Sequence, residues 1–293
     1  MIGPIAPADG FAGQRLDRLR PGGTLMACLN CQLRFRFPRP FKKELDGLYA
    51  AGAEWNWQTP VEMRTDWQRV RKVIVSRPDI KSVLDVGCFD GGLLNYLGPT
   101  YERLGIEIHP AAARRAESRG VTVIGSDFEN ALVQCSGAVD VTIAVDVIEH
   151  TLDPLDFLRK LRNTVKPGGL IVITSGDASA WSWRLMGSRY WYCTFGEHLS
   201  FINPRWSAWA ASALNLEIEY IESFSHAGEH ASAAQRVLYF LKNIAYKVAP
   251  WLAGWLRGSG LGGKDVGTHP ELRLSPPPWP TARDHLLVAF KRA

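Results

Sequence analysis

From residue 81 onward, short apolar runs alternate with segments of helical periodicity. The runs at 82–86, 104–108, 121–124, 139–145 and 169–175 read as five strands. Between them, 91–97, 110–118 and 154–165 read as helices, with a short turn near Glu129. This alternation is the mark of an α/β chain whose parallel sheet is covered on both faces. Two further strands, 216–223 and 284–291, are separated by an insertion too irregular for a simple crossover helix. Upstream, Trp67, Val70 and Val73 fall at helical spacing, while the first 50 residues show little periodicity. The reading divides the chain into an N-terminal segment (1–50), a helical region (51–80), a main domain (81–225 with 284–293) and an insertion (226–283).

Within the insertion Val237, Leu241, Ile244, Val248 and Leu252 recur every three or four residues, with Arg236, Lys242 and Lys247 off that line. The pattern predicts a basic amphipathic helix, ended or kinked near Pro250 and extended by Trp251, Leu252, Trp255 and Leu256. Such a helix is either a lid that packs its apolar face on the domain, the commoner fate, or a helix lying on a membrane surface with its tryptophans at the interface. Residues 258–280 are rich in Gly and Pro and read as a loop.

The net charge of +5 is mild, and no Lys/Arg stripe longer than Arg71-Lys72 concentrates it, so no nucleic-acid partner is expected. A weakly basic surface suits an anionic substrate or an anionic membrane face. The N-terminus lacks the apolar core of a signal peptide, and no stretch is long and apolar enough to span a bilayer. With five cysteines and no export signal, a disulfide framework is not expected, and the chain is placed in the cytoplasm, with the inner face of the membrane as the other location.

The chemistry concentrates at strand ends. Asp85-Val86-Gly87-Cys88-Phe89-Asp90-Gly91 closes the first strand of the domain and opens a helix, and its glycines permit close backbone approach to a nucleotide. Glu107 ends the next strand, at the separation from the glycine turn where an acid reaches ribose hydroxyls. Asp127 and Phe128 follow the third strand, placed to accept the adenine amino group and to pack on the base. Asp85 and Asp90 would repel a pyrophosphate but suit an ammonium and a sulfonium, which favours S-adenosylmethionine over NAD.

These residues resemble the class I S-adenosylmethionine-dependent methyltransferases. The 85–91 segment looks like their first motif. Val145-Asp146-Val147-Ile148-Glu149-His150-Thr151-Leu152-Asp153-Pro154 looks like their fourth-strand motif, and Val165-Lys166-Pro167-Gly168-Gly169 like the turn before their fifth strand. Phe89 stands where the family most often has glycine, so its side chain must point away from the methionine. The resemblance implies a Rossmann-like, seven-stranded, mostly parallel sheet with an antiparallel last strand. It also implies S-adenosylmethionine as cofactor, held by Asp85, Gly87, Phe89, Asp90, Gly91, Glu107, Asp127, Phe128 and Asp146.

On the acceptor side, His198 is the expected general base and Glu197 the residue that orients it. His150 is the rival base, and His109 reads as structural or exposed. Trp181, Trp183, Tyr190, Trp191, Tyr192 and Phe195 offer either stacking surface or core. The segment Glu197-His198-Leu199-Ser200-Phe201 resembles methyltransferases of sugars and other small molecules, which places the chain in glycan biosynthesis, as an O-methyltransferase of a sugar, glycan or similar hydroxyl. The alternatives are C- or N-methylation, O-methylation of a phenol or quinone-type acceptor, and a non-catalytic binding protein that keeps the fold; an NAD-linked dehydrogenase comes third. Cys28 and Cys31 resemble one half of a zinc module whose second cysteine pair is missing, so no metal site is assigned.

Overall fold

The computed structural model describes residues 1–12, 14–50, 64–126, 128–226, 231–258 and 276–293. The chain opens with five short strands, β1 (Gly3–Pro4), β2 (Ala8–Phe11), β3 (Gln14–Arg20), β4 (Thr24–Ala27) and β5 (Arg34–Phe37), then helix α1 (Lys42–Ala50). Most of these strands are four residues or fewer, too short for alternation to show in the sequence. Helix α2 (Thr65–Val75) lies within the expected helical stretch and buries Val70 and Ile74.

The main domain continues as β6 (Ser82–Val86), α3 (Gly92–Leu97), β7 (Glu102–Ile106), α4 (Pro110–Ser118), β8 (Thr122–Gly125), α5 (Phe128–Gln134), β9 (Val139–Val145), α6 (Pro154–Thr164) and β10 (Val165–Gly176). After α7 (Trp181–Met186) come β11 (Ser200–Phe201), α8 (Pro204–Ala213), β12 (Leu216–Phe224), α9 (Ala233–Val248), α10 (Pro250–Gly258) and β13 (His285–Arg292). Seven strands form one sheet in the order β12-β13-β10-β9-β6-β7-β8, parallel except for β13, which runs antiparallel to both neighbours. The expected Rossmann-like sheet is therefore present, with its last strand reversed.

Period-two alternation divides the core into two layers. On one face Leu84, Val86, Ile171, Ile173, Leu286, Val288 and Phe290 pack with Leu158 and Leu161 of α6 and Trp206 of α8. On the other, Val83, Val141, Ile143, Leu170, Val172, Leu287 and Ala289 meet α2, α3 and α4 through Val70, Ile74, Leu94 and Ala116. Both faces being covered explains why these strands read as continuous apolar runs. Helix α6 starts where Asp153 accepts from Leu155 N and Asp156 N at 3.0 Å with Pro154 in the first turn.

The N-terminal segment is joined to this domain by hydrogen bonds. Strands β1, β4, β5 and β11 make a four-stranded sheet, so residues 200 and 201 of the main domain pair with residues 35 and 34. Arg36, 4% exposed, donates to the carbonyls of Gly22 (2.6 Å), Cys193 (2.8 Å), Phe195 (2.7 Å) and His198 (3.1 Å). A satellite core of Ile5, Leu25, Trp183, Tyr190, Tyr192, Phe201 and Trp279 fills the join. Among the described residues no helix is long and apolar enough to cross a membrane.

Candidate functional site

The parallel strands all deliver their C-terminal ends to one edge of the sheet, where the loops enclose a cavity of about 1500 Å³. That exceeds the roughly 300–1,000 Å³ of a typical single-ligand pocket, so a cofactor and an acceptor fit together. At the end of β6 the chain turns through Gly87 (φ +77°) and Gly91 (φ +73°). A Cβ on Gly91 would lie 3.0–3.2 Å from Val121 and Ala116, so glycine here serves both conformation and packing. Phe89 also adopts a positive φ (+49°), and the Arg115 guanidinium lies 5.4 Å from its ring. Asp90, read from sequence as an acid facing the cofactor, accepts from Gly92 N at the start of α3 at 3.0 Å and is paired with Arg119 at 2.7 Å. Its charge is thus already answered by a guanidinium.

Glu107, buried at the end of β7, accepts from Phe89 N and His109 N, each at 2.8 Å. One carboxylate therefore fixes the glycine loop and the start of α4 while lining the cavity. His109, read as structural or exposed, is 6% exposed and also lines the cavity. Asp127 lies outside the described residues, as does the side chain of Phe128, whose backbone begins α5.

Asp85 and Asp146 stand together in the cavity wall with a cation that sequence reading missed, Arg64. Its guanidinium reaches Asp66 at 2.5 Å and Asp146 at 3.4 Å and lies 4.7 Å from the Trp67 ring centroid. Burial, with Glu107 nearby, pushes the Asp85 carboxyl up to about 8, and burial, with Asp66 nearby, pushes Asp146 up to about 6. Arg64 is thus held on two nitrogens by Asp66 and leans on Asp146, and the raised carboxyls of Asp85 and Asp146 beside it can take an ammonium. His285 and His226, ring centroids 4.0 Å apart, close this end. Burial opposes protonation of His285, but Asp284, 2.9 Å away, outweighs it and raises its pKa.

The second group of residues comes from the 3₁₀ turn after β9 and from the 191–198 loop. His198 Nδ1 contacts the Tyr192 carbonyl at 2.9 Å, which fixes the proton on Nδ1 and the lone pair on Nε2. The partner expected for this ring was the Glu197 carboxylate. That carboxylate instead accepts from its own backbone N–H and from Ala12 N–H, so the carbonyl of Tyr192 orients the imidazole. His150, 5.0 Å from His198 between ring centroids, contacts the Tyr49 hydroxyl through Nδ1 at 2.9 Å. Burial holds His150 down to about 4, and burial, then the neighbouring His150, holds His198 well below the ordinary imidazole range, so both are neutral near pH 7.

Glu149, fully buried, receives hydrogen bonds from the Tyr192 and Ser175 hydroxyls, and burial pushes its carboxyl up to about 8. Donor atoms of Glu149, His150 and His198 all lie within 4.8 Å of one another. Of the aromatic run, Trp191, Tyr192 and Phe195 line the cavity. Trp183 and Tyr190 are core, stacked at 4.9 Å, and Trp181 packs edge-on against Trp279 away from the cavity. Cys28 and Cys31 pack against the main core as free thiols, and no further cysteine among the described residues joins them in a ligand set. Arg64, His226 and His285 carried no motif, and with Tyr49 they come from four separate segments, so only the folded chain brings them together.

A methyltransferase-domain family model matches residues 58–221. The ubiquinone biosynthesis O-methyltransferase of Cereibacter sphaeroides is 34% identical over 106 residues, covering 32% of this chain and 40% of that protein. The enzyme of the same name from Cronobacter sakazakii is 32% identical over 120 residues, 38% of this chain and 49% of that protein. The chain thus matches less than half the length of these relatives. A putative sarcosine dimethylglycine methyltransferase from Galdieria sulphuraria shares the fold, with a TM-score of 0.50 at 14% identity over 85% of this chain and 98% of that one. With its glycine turn, its strand-end acids and more than half its length matched by the family model, the chain belongs to the methyltransferase-domain family, the class I enzymes that use S-adenosylmethionine.

Proposed function

We propose that this chain moves a methyl group from S-adenosylmethionine to the hydroxyl oxygen of a small phenol or quinone-type acceptor. The observation that carries the oxygen reading is His198, a neutral imidazole in the cavity wall whose Nδ1 is committed to the Tyr192 carbonyl, leaving Nε2 to take a hydroxyl proton. The planar wall of Trp191, Tyr192 and Phe195 suits an aromatic ring. The name shared by the sequence relatives points the same way, and together they favour a phenol over the sugar or glycan hydroxyl expected first from the sequence.

When bound, S-adenosylmethionine supplies an electrophilic methyl on a sulfonium, and the remaining chemistry is positioning and proton removal. Asp85 and Asp146 take the ammonium, while Glu107 offers its carboxylate to the ribose diol. Gly87, Phe89 and Gly91 shape the turn beneath, and Asp90 holds the start of α3. Tyr49 and Glu197 fix His150 and the loop beneath His198. The test is transfer of labelled methyl to a panel of hydroxylated quinones, simple phenols and sugars, with wild type and His198→Gln. Loss of about 100-fold in kcat with unchanged S-adenosylhomocysteine binding is expected. Undiminished transfer by the variant would remove His198 as base and favour an amine acceptor, and transfer to sugars alone would overturn the phenol reading.

A further inference from the structure

The insertion folds as expected in sequence but faces the unexpected way. A Ser232–Gln235 capping box starts α9, and Pro250 begins α10 after a break at Ala249. The side of α9 that meets the protein carries Tyr239, Asn243 and Tyr246; Asn243 is fully buried, and the Arg189 guanidinium donates to the Lys247 carbonyl at 2.8 Å. The apolar stripe lies on the opposite side. Val237 and Leu241 are each 57% exposed and Val248 77%, and the run continues onto α10 with Trp251 at 70% and Trp255 at 65%. The lid reading, in which this stripe packs on the domain, is therefore not what the fold does.

We infer that the α9–α10 arm is a docking face for an anionic lipid bilayer, an inference independent of the acceptor's identity. Three features select that occupant. First, residues 233–258 contain no Asp or Glu but include Arg236, Lys242, Lys247 and Arg257. By helical rotation Arg236 flanks the apolar stripe on one side and Lys242 on the other, the layout of an interfacial helix, while the Lys247 ammonium is turned in to the Leu185 carbonyl. Second, two exposed tryptophans stand at the end of the stripe, side chains whose apolar body and N–H suit the headgroup boundary. Third, a second copy of this chain laid on the face would bring the same cations together with no acid on either arm, whereas anionic headgroups answer them. The arm also emerges beyond β12, which runs parallel to β10, so it sits at the sheet edge where the cavity lies.

The test uses the full chain with vesicles of phosphatidylcholine alone or with roughly 30% phosphatidylglycerol. Co-sedimentation with the anionic vesicles, lost in pure phosphatidylcholine and weakened by salt, is expected. The triple variant Leu241→Gln/Trp251→Ser/Trp255→Ser should lower the partition at least about tenfold while keeping S-adenosylhomocysteine binding. The pair Arg236→Glu/Lys242→Glu, which leaves the apolar stripe intact, should lower it by about fivefold per cation. Failure of the wild type to bind anionic vesicles, or full binding by both variants, overturns the inference. So does a wild-type dimer that the triple variant dissolves, since a second copy would then cover the face.

Discussion

Arg36 makes the strongest quantitative claim about how this chain holds its site. The guanidinium is almost wholly buried and spends its donors on four carbonyls, three of them in the 193–198 loop that carries His198. Replacing it with Met keeps most of the volume but takes this donor from the carbonyls of Gly22, Cys193 and His198, at about 1–3 kcal/mol each, while the Phe195 carbonyl keeps the His198 N–H. Against this, the variant no longer withdraws a charge from water, which offsets several kcal/mol. The unpaired carbonyls outweigh the recovered desolvation, for a net expected loss of about 3 kcal/mol. In a domain of this size that corresponds to a melting temperature lower by about 10 °C. Arg36 does not line the cavity, so S-adenosylhomocysteine affinity should hold near the wild-type value when titrated well below the melting point. Methyl transfer should fall, because the Tyr192 carbonyl and the His198 ring are no longer held in register. Calorimetric melting and isothermal titration on the same preparation check both halves. A variant that melts within a degree or so of wild type would refute the claim that this arginine fastens the loop.

Glu107→Gln keeps the shape but gives up one of two acceptors now filled by Phe89 N–H and His109 N–H. The ligand-free variant should lose about 1–3 kcal/mol of stability and bind S-adenosylhomocysteine at least about tenfold more weakly; unchanged melting would mean the carboxylate does not hold the loop. Asp85 and Glu149 titrate near 8 in the folded protein because burial disfavours their charge, against values of 3.8 and 4.5 when exposed. Their contribution to stability is full below those lower values and is lost as pH rises through about 8. His150, lowered by burial to about 4, acts in the opposite sense: its contribution is full above 6.5 and lost as pH falls through about 4. Glu149→Gln should therefore flatten the alkaline decline of the melting temperature of the ligand-free protein between about pH 5 and 9, and parallel curves for the two proteins would exclude Glu149 as its source.

The central sheet was legible because its signals are local. Strands covered on both faces must be apolar along their whole length, and each crossover helix must repeat its apolar residues every three or four positions. The glycine turn and Glu107 were legible for a related reason: a nucleotide site at strand ends needs particular residue types at nearly fixed separations along one chain. Most of the N-terminal strands were not, because segments of two to four residues acquire their identity from the strands they pair with, one of them residues 200 and 201 of the distant loop.

The amphipathic helix at 233–248 marks the boundary most clearly. Periodicity determined that the segment is helical and that its apolar residues form one stripe, since both follow from 3.6 residues per turn. Which side meets the protein was decided by Tyr239 packing on the satellite core and by the burial of Asn243 and Tyr246 beside it, leaving the stripe outward. The partner of His198 was decided likewise, by a backbone carbonyl six residues away, and a backbone carbonyl has no letter in the sequence. Sequence by itself determined the elements, the family's cofactor turn and the candidate imidazole. Tertiary structure decided Arg64, the role of Arg36 and the facing of the arm, because each depends on groups that only folding brings within a few ångströms.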